Sequence, residues 1–399
     1  MVGIHRHHER GVLCMSKRRR LLAGFVLVVA SLVLSLGLLS VLDHVLARRN
    51  VGYVDLWQDK PTLSTLDFYP YSGHHIQAHF HQRGPDIWND QDFDIRSGDH
   101  GFFVDFPLDR PPPKAANEFR LILIGGSAAQ GFGGRTNDDM FYRLLERKVN
   151  MYLASQMRHE TIRIINLAMG GSISYQNFVA LNLWGHALEP DAILSFSGFN
   201  EFSMYKIFGS NLYNHGAAYG GLSLAQRHWE SQGWQKFLAK LFPSIFRTSN
   251  TALALRTLAL PQRAGRFVVE YASRFPHEDA PIAAARFQAH ALLSILRDFP
   301  DAPLLLVTQP YQGADASYDE AQLKVVEILM SSTMSHRVSY LNSHALWKAN
   351  DYFPGSLVDA VHLSNAGQER IAEYLAEPVT RLMAAARTGE PSKPIVRPR

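Results

Sequence analysis

Four short stretches of this 399-residue chain hold residue types suited to nucleophilic chemistry. The first is Leu121-Ile122-Leu123-Ile124-Gly125-Gly126-Ser127-Ala128-Ala129-Gln130-Gly131. Its four apolar residues read as a buried parallel strand. Two glycines then allow a sharp turn that a Cβ would hinder. Ser127 follows where a helix could begin, at the carboxyl end of a strand, which is where open α/β sheets keep their chemistry. Serine is also a favoured helix N-cap, and on these residues alone both readings stand. The second stretch is Asn166-Leu167-Ala168-Met169-Gly170-Gly171-Ser172, and the third is Ser197-Gly198-Phe199-Asn200-Glu201. The fourth, Asp359-Ala360-Val361-His362-Leu363-Ser364-Asn365-Ala366-Gly367, comes just before the last helical pattern. A serine hydroxyl is a poor nucleophile until a base takes its proton. The fourth stretch offers an imidazole with a carboxylate three residues before it. Taken singly, Asn200 reads as a turn residue, Asp359 as a loop acid and His362 as a packed histidine. Their order at successive strand ends is what points to chemistry.

The elements that must position these residues alternate. Strands are expected over Phe119 to Gly125, Thr161 to Leu167, Asp191 to Ser197, Pro303 to Gln309 and Val338 to Asn342. Helices are expected over Phe141 to Gln156, Tyr175 to Ala187, Ala283 to Asp298, Tyr318 to Ser335 and Gly367 to Ala386. Strands separated by helices imply a parallel sheet covered on both faces. The expected architecture is a three-layer α/β/α, flavodoxin-like domain over 117–387 with about five parallel strands. A long interruption at 202–282 carries helix-like pieces and reads as a helical lid near the site, with a remote decorative insertion as the alternative. Residues 43–116 form a lead-in ending in the stiff run Arg110-Pro111-Pro112-Pro113-Lys114.

Residues 1–20 form a basic tail that includes Arg6, Arg10, Lys17, Arg18, Arg19 and Arg20. The uncharged run Leu21 to Leu42 is long enough to span a bilayer as a helix. The basic residues before it predict a cytoplasmic N-terminus, which places the main domain outside the cytoplasm. A cleaved signal peptide, with Val45-Leu46-Ala47 as its site, is the competing reading. The tail 388–399 is rich in Pro and basic residues and reads as disordered. The formal net charge is only +4, from 40 basic and 36 acidic residues, which is poor support for nucleic-acid binding. Cys14 is the one cysteine, so no disulfide forms within the chain and no cysteine-based metal site exists. His5, His7 and His8 lie in the tail. His74, His75, His79 and His81, with Asp86, Asp92 and Asp94, match no ligand spacing. Gly125-Gly126 with Gly131 lacks the Lys-Ser/Thr of a phosphate loop. No metal and no organic cofactor is expected.

Together the four stretches resemble the SGNH hydrolases of the GDSL esterase/lipase superfamily, whose Ser, Gly, Asn and His blocks occur here in order. DAVHLSNAG is the most specific of them. The resemblance covers about residues 117–386, less the insertion. It implies that Ser127 is the nucleophile, His362 the base and Asp359 the residue orienting the imidazole. It also implies an oxyanion hole from the backbone N–H groups of Ser127 and Gly171 and the Asn200 side-chain amide. Two positions depart from the usual pattern: Gly126 stands where the first block has Asp, and Glu201 where the third has Asp.

The resulting expectation is a membrane-anchored serine esterase acting outside the cytoplasm on an O-acyl ester, with an O-acetyl glycan or a lipid as candidate substrates. An acyltransferase that passes the acyl group to a glycan hydroxyl would use the same site. A binding or assembly protein that keeps the fold without turnover is the alternative of a different class. Oligomeric state is not legible in the sequence.

Overall fold

The computed structural model describes residues 22, 24–35, 37–38, 66–67, 75–76, 78–86, 91–208, 280–313 and 316–388. The chain divides into two units, 1–59 with 230–263, and 60–229 with 264–399. In the first, the described residues within 22–38 are helical. Leu22, Phe25, Val29, Leu34 and Leu38 are exposed there. Among the described residues no helix is long and apolar enough to cross a membrane. Parts of the expected span 21–42, most of the expected insertion 202–282 and nearly all of the expected tail 388–399 lie outside the described residues.

The second unit opens with two antiparallel pairs, β1 (Leu66–Asp67) with β2 (His75–Ile76), and β3 (His81–Asp86) with β4 (Gln91–Arg96). Then follow β5 (Glu118–Gly125), the short helix α1 (Ser127–Gln130), α2 (Phe141–Ser155), β6 (Thr161–Asn166) and α3 (Ser174–Ala180). Next come β7 (Ala192–Ser197), α4 (Phe199–Phe208), α5 (Ala280–Asp298), β8 (Leu304–Thr308) and α6 (Ala316–Met330). The order closes with β9 (Val338–Leu341), α7 (Ser343–Ala349) and α8 (Asn365–Thr388).

Strands β5 to β9 form one five-stranded sheet in the order β6-β5-β7-β8-β9, with every neighbouring pair parallel. Counted from β5, this is the 2-1-3-4-5 order of doubly wound sheets. Both faces are covered, which explains the near-continuous apolar strands. Side chains alternate along β5: Leu121 and Leu123 join α2 and α8 in one core, and Ile122 and Ile124 join α3, α5 and α6 in the other. The three-layer α/β/α expectation therefore holds. The helix expected over 175–187 is irregular, since α3 passes through a π turn at Leu181–Gly185 into a 3-10 turn at His186–Leu188.

The lead-in contributes to these cores. Phe103 is buried in the first, and Phe102 and Leu108 in the second. The proline run is held from the sheet, because the fully buried Arg120 donates through Nη2 to the Pro112 carbonyl at 2.7 Å.

Candidate active site

Glycine shapes the turn before Ser127. Gly125 has φ +153°, and a Cβ there would sit 2.2 Å from the Phe196 carbonyl oxygen on the neighbouring strand. Only glycine fits a backbone of that shape at that distance. Gly126 is the N-cap of α1 and makes no side-chain cap. Ser127 is therefore the first residue inside the helix and does not cap it, which removes the plain alternative for this serine. The small, buried Ala128 and Ala129 let α1 lie against the sheet end.

Ser127 Oγ lies 2.7 Å from His362 Nε2. On the other side of that ring, Nδ1 is 2.6 Å from Asp359 Oδ2. With the ring proton on Nδ1 facing the carboxylate, Nε2 is free to accept the serine hydroxyl proton. Asp359 Oδ1 also accepts from the backbone N–H groups of Val361 at 2.9 Å and His362 at 2.8 Å. Burial alone would raise the Asp359 pKa. The hydrogen bond and charge of His362 and the two backbone donors outweigh it and hold the carboxyl well below the usual carboxylate range. The group that must stay anionic beside the imidazole is thus held so. The ring of Phe132 lies over His362, with centroids 4.7 Å apart.

Asn200 stands in the first turn of α4, at the end of β7. Its Nδ2 donates to the Ser172 carbonyl at 2.7 Å, and a Cβ built on Gly126 would come within 2.2 Å of that nitrogen. The Asn200 amide thus lies directly against the turn that carries Ser127. Gly170 borders the same place, since a Cβ on it would be 3.9 Å from Ser127 Cβ, and Gly171 follows with φ +74°. The structure brings together the serine, histidine and aspartate of the sequence reading, and sets the 170–171 turn and Asn200 beside them. Strands β5 and β7, which deliver Ser127 and Asn200, flank the point where strand order reverses, the expected crevice of such a sheet.

Glu201, the acid next to Asn200, is buried away from this chemistry. One carboxylate oxygen accepts from both the N–H and the hydroxyl of Ser174 at 2.6 Å each. Burial pushes its pKa up, and these hydrogen bonds offset that only in part. It ties the first turn of α3 to the first turn of α4.

The sequence did not show the roles of two supporting side chains. Asn166 Nδ2 donates to the carbonyls of Ala129 and Gln130 at 3.2 Å each, securing the end of α1. Gln309 Nε2 donates to the Val361 carbonyl at 3.3 Å, beside His362. The asparagine at the end of β6 was a visible signal, whereas Gln309 carried none. Among the described residues no group of three or more His, Cys, Asp or Glu could hold a metal ion. His79 faces Asp99 at 3.2 Å and His81 faces Asp94 at 2.9 Å. His5, His7, His8 and His74 lie outside the described residues.

No protein-family model matches the sequence, and no curated protein does. Among solved structures, the chain is similar to an acetylxylan esterase from Geobacillus stearothermophilus, at 16% identity over 65% of this chain and 93% of that one, with a TM-score of 0.38. It is similar to a family 3 carbohydrate esterase from Clostridium thermocellum at 12% identity, over 67% and 99% of the two chains, with a TM-score of 0.38. A lipase/acylhydrolase from Enterococcus faecalis is similar at 14% identity, over 65% and 95%, with a TM-score of 0.36. At such identities and scores, the geometry around Ser127 alone bears the functional reading.

Proposed function

We propose that this protein is a serine esterase that hydrolyses an O-acyl ester, anchored to a membrane by its N-terminal segment. The reading rests on one observation, the unbroken relay from Ser127 Oγ through both ring nitrogens of His362 to Asp359 Oδ2, at 2.7 and 2.6 Å. In the proposed reaction, Ser127 Oγ attacks the acyl carbon as His362 Nε2 takes the hydroxyl proton. The backbone N–H groups of Ser127 and Gly171 and the Asn200 amide receive the negative charge that develops on the carbonyl oxygen. His362 then gives its proton to the departing alcohol, leaving an acyl group on Ser127. Water, deprotonated by the same nitrogen, attacks that acyl group and restores the serine. Asp359 stays ionised throughout and stabilises the imidazolium that each step creates.

Hydrolysis of short p-nitrophenyl esters by the purified protein tests this reading. Activity is expected in the wild type and abolished in Ser127→Ala. Unchanged turnover in that variant would contradict the assignment. The same preparation given a glycan acceptor reports where the acyl group goes. Free acid as the sole product is the expected result, and acyl-glycan product would convert the assignment to acyl transfer.

A further inference from the structure

Gln368, in the first turn of α8, takes no part in the relay, yet its side chain is fully buried at the join between the two segments that supply it. Its Oε1 accepts from the Phe141 N–H at 2.9 Å, at the start of α2. Its Nε2 faces three carbonyl oxygens: Gly131 at 3.2 Å, Phe132 at 3.2 Å and Leu363 at 3.4 Å. The first two belong to the loop that leaves Ser127, and the third to the residue after His362.

Phe132 makes this arrangement more than packing. Its backbone N–H donates to the Ser127 carbonyl at 3.0 Å, and its ring lies against His362. The carbonyl of the same residue is one that Gln368 holds. A single amide thus restrains a residue touching both partners of the Oγ–Nε2 hydrogen bond, while also gripping the backbone beside His362. Two further contacts cross the same join. The Arg135 N–H donates to Asn365 Oδ1 at 3.2 Å, and Gly133 packs so closely that a Cβ would come 2.1 Å from the Leu363 oxygen. Ser127 and His362 are separated by 235 positions, so their register depends on tertiary contacts, and these cross the join nearest to both.

We infer that Gln368 is a positioning residue that fixes the register of Ser127 against His362, an inference that rests on the esterase reading above. Near-attack geometry is steep, and a displacement of about 1 Å costs on the order of 10²-fold in rate. Gln368→Met removes every hydrogen bond at similar length. Gln368→Glu keeps the acceptor for Phe141 and loses the donors.

The test is the rate at which a fluorophosphonate labels Ser127 in full-length protein, measured in a double-mutant cycle with His362→Ala. Urea midpoints are followed alongside to establish that each variant is folded. The wild type is expected to label at Ser127, and both Gln368 variants to label about 10- to 100-fold more slowly. In the His362→Ala background the same substitutions are expected to change the rate by less than about twofold, because the register they disturb no longer matters. A folded Gln368 variant that labels at the wild-type rate overturns the inference. So does an equal loss with and without His362, which is the mark of a merely structural role. A wild-type protein that never labels at Ser127 removes the esterase reading itself, and that result is distinct from either.

Discussion

Gly126 bears directly on the proposed oxyanion site. A side chain there would collide with the Asn200 amide, 2.2 Å from the position of a Cβ. An aspartate there, the residue usual in the family that the sequence resembles, fits only if the Asn200 side chain gives way. Gly126→Asp should push the Asn200 side chain aside and remove one donor from the proposed oxyanion site. Loss of one such donor typically lowers kcat by about 10²–10³. Steady-state kinetics should show that fall with Ser127 and His362 intact, and full activity in both Gly126→Asp and Asn200→Ala would mean the amide is not a donor. At this scale the sequence was highly legible. Ser127, Asn200, Asp359 and His362 are each ambiguous singly, and were legible through their order at successive strand ends and before the last helix. Phe132 and Gln368 carried no such pattern. Their importance comes from partners brought near by folding, up to 237 positions away for Gln368.

Among elements, the five strands were legible because burial on both faces demands uninterrupted apolar runs. The antiparallel pair β3–β4 was not, since HQRGPD has no apolar alternation and holds Gly84 and Pro85, and the short alternation of QDFDIR stood without a partner. The alignment of α3 with α4 was equally hidden, although Glu201 fastens the two through Ser174. Because burial raises the Glu201 pKa, the folded state holds that proton more tightly than the unfolded chain does. Its contribution to stability is therefore fully present below the unfolded carboxyl value of about 4.3, and is lost as pH rises through the folded value. Glu201→Gln has no proton to lose. Urea midpoints of wild type and variant, compared from pH 4 to pH 7, should shift progressively in the variant's favour. A gap that stays constant with pH would show that the carboxyl titrates alike in both states.

For the whole molecule, the chain order explains how one site gathers residues from its length. β5 and β7 are neighbours at the sheet's switch point, so Ser127 and Asn200 meet although they are 73 positions apart. The loop before α8 then returns Asp359 and His362 to the same crevice. We propose that the uncharged run 21–42 holds this unit at a membrane, with the exposed Leu22, Phe25, Val29, Leu34 and Leu38 as its support. A phosphatase reporter fused at the C-terminus should be active only outside the cytoplasm. Inactive reporter would contradict the location outside the cytoplasm, and release of the protein by alkaline carbonate would contradict the anchor. The central claim is that one serine is made reactive by one distant imidazole. Its most direct test is mass spectrometry of the intact, full-length protein after exposure to a fluorophosphonate. A single adduct on Ser127 is expected, lost in Ser127→Ala and strongly slowed in His362→Ala. No adduct on a folded wild-type protein, or an adduct indifferent to His362, would contradict it.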